Sequence, residues 1–235
     1  GNINLIAPLS LIFKKDILIL PDEYTVLDPM EQSVADQLNE SLIEAALYIK
    51  IINKAPVGGD LSLVISDNTI FPLFLDSLET GKWEDQKNEN GLAFNDSIWS
   101  HLSTMDPVID SINIISVDES MPDSKSLEIQ FYRNDTLQFF IGKLVDELAF
   151  NATDSIEYQT GYYIREYPET NESIIKMNKY RMEWVTTEEP RFISPYLTLQ
   201  GSPNLPEQYI TENDSLNPFT IQTSNSIWVQ ALVTF

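Results

Sequence analysis

The stretch LEIQFYRNDTLQFFIGK, residues 127–143, decides which fold class the sequence predicts. Its first half places Leu, Ile and Phe at positions 127, 129 and 131, where they alternate with more polar residues. This two-residue period is typical of a β-strand with one buried face. Asn134-Asp135 then supplies residues that favour a tight turn, and residues 136–143 form the returning strand. The stretch therefore predicts a β-hairpin.

Residues 136–150 also allow a helical interpretation. Six apolar residues fall on one face of a helix drawn through this segment, namely Leu137, Phe140, Ile141, Leu144, Val145 and Leu148. Against the helix, Phe139 and Phe140 have high β propensity, and Gly142 weakens a helix. We predict the hairpin and keep the helix as the alternative.

The same alternation recurs in segments spread along the chain. They are residues 9–13, 17–19, 61–66, 180–185 and 227–235. Together with the hairpin they predict a mostly all-β chain, folded as a β-sandwich or as two packed antiparallel sheets. Because all-β units often reach this length, we expect residues 1–235 to form a single β-rich module. The chain begins at Gly1 without an initiator Met, so we expect a fragment or processed form of a longer protein.

One segment, near residues 29–46, predicts a short helix. Asp28 suits the N-cap, Pro29 suits the first helical position, and Glu31 completes a capping-box-like pattern. Apolar residues then follow at four-residue spacing, at Met30, Val34, Leu38, Leu42 and Ala46. We expect this helix to cover one end or one face of a sheet.

Composition limits the classes of partner. Asp and Glu number 36 against 14 Lys and Arg, which gives a formal net charge of −22. A chain this acidic repels phosphate backbones, so nucleic acid is not expected as a partner. The chain has no cysteine, which excludes disulfides, zinc–thiolate sites and cysteine nucleophiles. No apolar run is long enough to cross a bilayer as a helix.

The sequence predicts no catalytic residue. The one histidine, His101, comes without a nucleophile motif, a P-loop or a dinucleotide fingerprint elsewhere in the chain. A hydrolase that uses two carboxylates stays open as an alternative, and the pair Glu188-Glu189 stands out. Because adjacent residues on an extended segment point to opposite faces, a solvated strand end is the preferred interpretation of this pair.

Two acidic loops are candidates for weak Ca²⁺ binding. One carries Asp85, Asn88 and Asn90, and the other carries Asp118 and Asp123. Both loops offer oxygen ligands, although their spacing misses the EF-hand pattern. The competing interpretation is a solvated loop without a metal. Ca²⁺ is therefore the one cofactor that the sequence leaves open.

Four aromatic residues are candidates for ligand binding: Trp83, Tyr162, Tyr163 and Trp184. When exposed, such rings can stack on sugars, because they combine apolar area with a polar tip. The same rings also fill sandwich cores, and core burial is the preferred interpretation. A carbohydrate-binding module is therefore an alternative function.

The stretch INKAPVGGD, residues 52–60, lies between two alternating segments. Pro56 favours a turn there, and Gly58-Gly59 allow a positive φ. The stretch resembles strand-turn-strand elements of the late-embryogenesis-abundant, WHy-type β-sandwich domains and of uncharacterised envelope proteins of Gram-negative bacteria. The resemblance covers residues 45–67 and implies a β-sandwich without enzymatic activity.

Two further resemblances point to the cell envelope. Asp-Ser/Thr-aliphatic triplets such as Asp76-Ser77-Leu78 resemble O-glycosylation acceptors of some Gram-negative bacteria, and N-x-Ser/Thr sequons accompany them. Loop capping by Asp, Asn and Ser is the preferred interpretation of these patterns. The alternating segment that ends at Phe235 resembles the closing strand of an outer-membrane β-barrel, which is a further alternative. The long polar loops and the predicted helix favour the sandwich.

We expect a non-catalytic, extracytoplasmic or cell-surface β module with a structural or partner-binding role. This expectation rests on the missing catalytic motif, the acidic composition and the loops rich in Asn, Asp and Ser. The expected partner is a protein or a glycan. An exposed edge strand would favour a protein partner through strand addition. The sequence leaves the oligomeric state open.

Overall fold

The computed structural model of the chain describes residues 9–19, 24–41, 45–72, 75, 102, 104–117, 126–152, 169–201, 219–221 and 226–234. The strands are β1 Leu9–Leu11, β2 Ile17–Ile19, β3 Thr25–Leu27, β4 Ala45–Asn53, β5 Gly59–Ser66, β6 Ser111–Val117, β7 Ser126–Arg133, β8 Thr136–Phe150, β9 Glu169–Met177, β10 Arg191–Leu199, β11 Phe219–Ile221 and β12 Ile227–Thr234. Helix α1 spans Gln32–Ser41 and helix α2 spans Lys179–Val185.

The strands form two main antiparallel sheets. The larger sheet has seven strands in the order β2-β10-β5-β8-β7-β6, with β3 also paired to β10. The smaller sheet has three strands in the order β12-β4-β9, and β1 pairs separately with β11. Every described pair is antiparallel. The predicted mostly β fold, with two packed antiparallel sheets and a short helix, is confirmed.

The hairpin predicted for residues 127–143 is present as β7 and β8. Its turn residues Asn134 and Asp135 have φ angles of 49° and 59°, and positive values at both positions are those of a type I′ turn. The backbone N–H of Asn134 donates to a carboxylate oxygen of Asp110 at 2.8 Å, which holds the turn against the start of β6. β8 continues to Phe150, so residues 136–150 form a strand and the helical alternative is wrong.

Helix α1 is shorter than predicted at both ends. The backbone N–H groups of Val34 and Ala35 donate to the carbonyl of Glu31, so the helix begins beyond Asp28 and Pro29. At the other end, Ala46 belongs to β4. A spacing of four residues rotates about 40° per step around a helix of 3.6 residues per turn, so the predicted stripe does not stay on one face. Ala35 is the buried residue, and Val34 is 43% exposed.

Helix α2 corrects the strand predicted over residues 180–185. Asn178 caps the helix, because its side-chain oxygen accepts a hydrogen bond from the backbone N–H of Arg181 at 2.9 Å. Met182 and Val185 are buried in the same core cluster as Ile49 and Ile51 of β4. A two-residue apolar period over only six residues does not separate a strand from a short helix, so the cap was the decisive local signal.

The core has two parts, one on each face of the seven-stranded sheet. The first lies between the two sheets and includes the fully buried Ile49 and Ile51 of β4 and Leu61 of β5. The second lies on the opposite face, where the rings of Phe131 and Phe139 stack with centroids 4.4 Å apart. The larger sheet is therefore packed on both faces, whereas the described core contacts of the three-stranded sheet lie on one.

The turn between β4 and β5 is the segment that resembled the WHy-type element. Asn53 is fully buried, and its amide donates to the carbonyls of Val57 and Asn151 at 2.7 and 2.8 Å. Its oxygen accepts from the N–H of Ala55 at 2.8 Å. A Cβ on Gly58 would lie 2.8 Å from the carbonyl oxygen of Phe150. Close approach, and not the positive φ we expected, is why glycine is needed there.

Candidate protein-binding face of the three-stranded sheet

Most of the residues proposed from sequence lie outside the described residues. These are the calcium candidates Asp85, Asn88, Asn90, Asp118 and Asp123, the aromatic candidates Trp83, Tyr162 and Tyr163, and His101. Within the described part of the chain, no three His, Asp or Glu side chains come together as a metal site. The same residues contain no helix with the length and hydropathy required to traverse a bilayer.

Trp184 is the aromatic candidate that the structure describes. It is 7% exposed, and its indole N–H donates to a carboxylate oxygen of Glu128 at 2.9 Å. The ring lies directly on Gly142 of β8, where an added Cβ would come within 2.8 Å of it. Trp184 therefore anchors α2 to the seven-stranded sheet. Because its ring is buried, it offers little surface on which a ligand could stack.

The carboxylates near the start of β10 do not form an opposed pair in the described contacts. Glu188 and Glu189 are exposed, and Glu189 lies 3.5 Å from the guanidinium of Arg191. Asp67, at the end of β5, accepts a hydrogen bond from the backbone N–H of Phe140 at 3.0 Å. Burial raises the pKa of Asp67, and the hydrogen bond from Phe140 opposes that rise. This carboxyl group thus serves a backbone contact between β5 and β8.

The surface with the clearest capacity to bind is the outer face of the three-stranded sheet. We define the outer face by the side chains that point away from the core, which are Ala46, Tyr48, Lys50 and Ile52 of β4, Thr170, Glu172, Ile174 and Lys176 of β9, and Trp228, Gln230 and Leu232 of β12. The inward-pointing residues of β4 are buried at every second position, which fixes the orientation of this face.

The strand register arranges the outer face in cross-strand rows. Trp228 lies opposite Ile52, and two residues further along β12 Gln230 lies opposite Lys50. The next row places Leu232 beside Tyr48 and continues to Ile174 of β9. Neighbouring residues in a row stand close enough for their side chains to touch. The outer face is therefore a continuous surface with apolar rows on both sides of a polar one.

Three apolar side chains of this face project into solvent. Trp228 is 49% exposed, Leu232 is 55% exposed and Ile174 is 71% exposed. An antiparallel sheet with one solvated face normally alternates apolar residues inside with polar residues outside. Contiguous exposed apolar surface with polar groups among it marks interaction sites in soluble proteins.

The polar row in the middle is an ion pair with no net charge. The ammonium of Lys50 lies 2.7 Å from a carboxylate oxygen of Glu172, and the hydroxyl of Tyr48 hydrogen-bonds the same carboxylate. Those two hydrogen bonds, from Lys50 first, lower the pKa of Glu172, and the bond to Glu172 raises the pKa of Lys50. The polar row is therefore electrically neutral on a chain whose net charge is −22. Lys176 of β9, opposite Ala46, adds a basic side chain at one end of the outer face.

Sequence reasoning missed this face, although a signal for it was present. The alternation of β12 was interpreted from its apolar positions 227, 229, 231 and 233, of which Ile227, Val229 and Val233 pack against the core. Trp228 and Leu232 occupy the opposite parity, so β12 is apolar on both of its faces. A strand with that composition at a sheet edge is the pattern that indicates a binding surface.

Comparison of the chain with protein-family models, with curated proteins and with solved structures gave no match. The resemblance of residues 52–60 to WHy-type and envelope proteins stays a prediction.

Proposed function

We propose that this chain is a non-catalytic, partner-binding β module, and that a partner protein docks on the outer face of the three-stranded sheet. The observation that carries the proposal is the exposure of Trp228, Leu232 and Ile174 around the neutral Lys50–Glu172 pair. The extracytoplasmic or cell-surface location expected from the sequence belongs to the same proposal and is supported by composition alone.

The chemistry of the face favours a protein over a glycan. Sugar-binding surfaces depend on aromatic planes together with polar groups that fix the hydroxyls. Here the exposed apolar area comes mainly from the aliphatic Leu232 and Ile174, and the charged groups of Lys50 and Glu172 already bind each other. Aliphatic area next to an aromatic side chain is typical of the centre of a protein–protein interface.

Site-specific photo-crosslinking tests the proposal in the native cells. Benzoylphenylalanine is placed at Leu232 on the outer face and, as a matched control, at Leu137 on β8 of the seven-stranded sheet. Leu137 is also an apolar strand residue and is 44% exposed. We expect ultraviolet light to produce a discrete protein adduct from position 232 and none from position 137. Adducts at both positions in equal yield, or at neither, would contradict the proposal.

A further inference from the structure

We infer that the partner is a second copy of the chain, which joins at the β12 edge of the outer face. The two β12 strands pair antiparallel about a two-fold axis at Gln230, so that Trp228 of each copy meets Leu232 of the other. The inference rests on the proposed function and names its partner. It would convert two three-stranded sheets into one continuous six-stranded sheet. Three features of β12 support it: the direction of its outward backbone groups, the absence of charged residues and proline along it, and the self-complementarity of its sequence.

The direction of the backbone groups of β12 follows from one hydrogen bond. The N–H of Lys54 donates to the carbonyl of Ser226 at 2.8 Å, just before β12 pairs with β4. In an antiparallel strand, successive residues direct their N–H and C=O groups to opposite sides. Even-numbered residues of β12 therefore bond to β4, and the backbone groups of Ile227, Val229, Ala231 and Val233 point to the other edge. Among the described residues, no strand pairs with that edge.

The two edges of the three-stranded sheet differ in how they are protected. β9 carries Glu169, Glu172 and Lys176, and charged side chains on an edge strand oppose pairing with another chain. β12 has the sequence IWVQALVT, without a charge or a proline, and is paired with β4 without a bulge. A long, regular and uncharged edge is the kind that accepts another strand. Of the two edges of the three-stranded sheet, β12 is therefore the one that is open to strand addition.

The sequence of β12 is complementary to itself in one register. With Gln230 opposite Gln230 of the second copy, Trp228 lies opposite Leu232 on the outer face. On the inner face Val229 lies opposite Ala231, which pairs a larger side chain with a smaller one. In this register each residue whose backbone groups point away from β4 lies opposite another such residue of the second copy. The four residues are Ile227, Val229, Ala231 and Val233. Shifting the axis by one residue either way, to 229 or 231, leaves one of the four without such a partner.

The charges of the outer face favour a second copy of this chain over a basic partner protein. A net charge of −22 would recruit a basic partner through an acidic surface, yet the charged side chains of this face are the Lys50–Glu172 ion pair and the basic Lys176. Two copies joined at β12 therefore bring no unpaired like charges together at the seam. The remaining repulsion between the acidic bodies acts over distances that physiological salt screens, with a Debye length of about 8 Å.

A single cysteine at position 230 tests both the partner and the register. The chain has no other cysteine, so any disulfide must join two copies through the introduced residue. Residues opposite each other in a non-hydrogen-bonded pair have Cα atoms about 4.5 Å apart, which a disulfide can span. We expect Gln230→Cys to form a covalent dimer on mild oxidation. In Trp228→Cys the two sulfurs would be offset by about 14 Å, so we expect no dimer. Thr170→Cys on β9 controls for random collision.

Proline substitution tests the edge without a covalent bond. Ala231→Pro removes an N–H that points away from β4, and Thr170→Pro removes the corresponding edge-directed N–H on β9. In sedimentation velocity we expect a concentration-dependent dimer for the wild type and Thr170→Pro, and a monomer for Ala231→Pro. If Ala231→Pro does not fold, the cysteine series decides alone.

The outcomes separate the inference from the proposed function. A wild type that stays monomeric, with no disulfide from Gln230→Cys, overturns the second copy as partner. If position 232 is then crosslinked to a different protein, the proposed function stands with another occupant. If position 232 gives no adduct and no dimer forms, both are overturned.

Discussion

Asn53 links the end of β4 to the turn that follows it and to the end of β8. Its fully buried side chain makes three hydrogen bonds, each to a backbone group: the carbonyls of Val57 and Asn151 and the N–H of Ala55. Buried backbone groups cost free energy when they lack a partner. The conformation of this turn therefore depends on an amide at position 53, which both donates and accepts.

Replacing Asn53 by alanine should destabilise the protein strongly. The change removes the donor to the buried carbonyl of Val57 and to the partly buried carbonyl of Asn151, and it leaves the N–H of Ala55 without this acceptor. We therefore expect a loss of about 3 kcal/mol in the free energy of unfolding. Urea denaturation measures it. Asn113→Ala is the matched control, because Asn113 is exposed on β6 and should cost less than about 0.5 kcal/mol. Equal losses in the two variants would contradict the role assigned to Asn53.

The sequence showed that residues 52–60 form a turn but did not show what the asparagine does there. Pro56 and the two glycines are local signals, so the turn could be predicted from them. The acceptor at Asn151 lies at the far end of β8, 98 residues from Asn53 in the sequence. A local sequence pattern does not predict a contact between residues so far apart. The same reason explains why Gly58 was assigned a φ preference when its real constraint is the neighbouring carbonyl of Phe150.

Helix α2 depends on the surface that β8 offers it. Gly142 has no side chain, which lets the ring of Trp184 rest on the strand while its N–H reaches Glu128. Phe140 lies beside the same ring, with centroids 6.3 Å apart. The helix is short, so this docking and the Asn178 cap provide much of its stability.

Gly142→Ala should weaken this docking. The added methyl would lie 2.8 Å from the indole, so Trp184 must shift as a whole and its bond to Glu128 is strained. We expect a loss of about 2 kcal/mol in the free energy of unfolding, measured by thermal or urea denaturation. Gly201→Ala serves as the control, since its nearest contact would be 3.2 Å, and it should cost less. Losses of the same size at both glycines would show that the indole is not the cause.

At the scale of elements, local sequence patterns predicted the strands and turns that depend on contacts between neighbouring residues. The β7–β8 hairpin could be predicted because its turn and both of its strands are contiguous in sequence. Helix α1 was predicted with the wrong ends, since the backbone N–H of Met30 bonds to the carbonyl of Thr187, a partner far along the chain. Helix α2 was predicted as a strand, because apolar residues alternate over residues 180–185. The local signal for a helix was a single capping residue, Asn178.

For the whole molecule, the decisive feature is that the two sheets are covered unequally. The seven-stranded sheet has core clusters on both faces, whereas the three-stranded sheet leaves Trp228, Leu232 and Ile174 in solvent. Sequence analysis could predict strands and antiparallel sheets but not that β12 would pair with β4 and become an edge. That pairing depends on contacts between residues 46–53 and residues 227–234, which are far apart in the sequence. The apolar residues on both faces of β12 therefore indicate a binding surface only once the position of β12 at a sheet edge is known.

Residue-resolved amide hydrogen exchange of the wild-type chain, at low and at high protein concentration, tests most directly whether β12 is the docking edge. We predict that the amides of Val229 and Ala231 become protected as concentration rises, since the second copy supplies their missing acceptors. The amides of Thr170 and Ile174, on the β9 edge of the same sheet, should exchange rapidly at every concentration. Rapid exchange of all four amides throughout, or equal protection at both edges, would contradict the account.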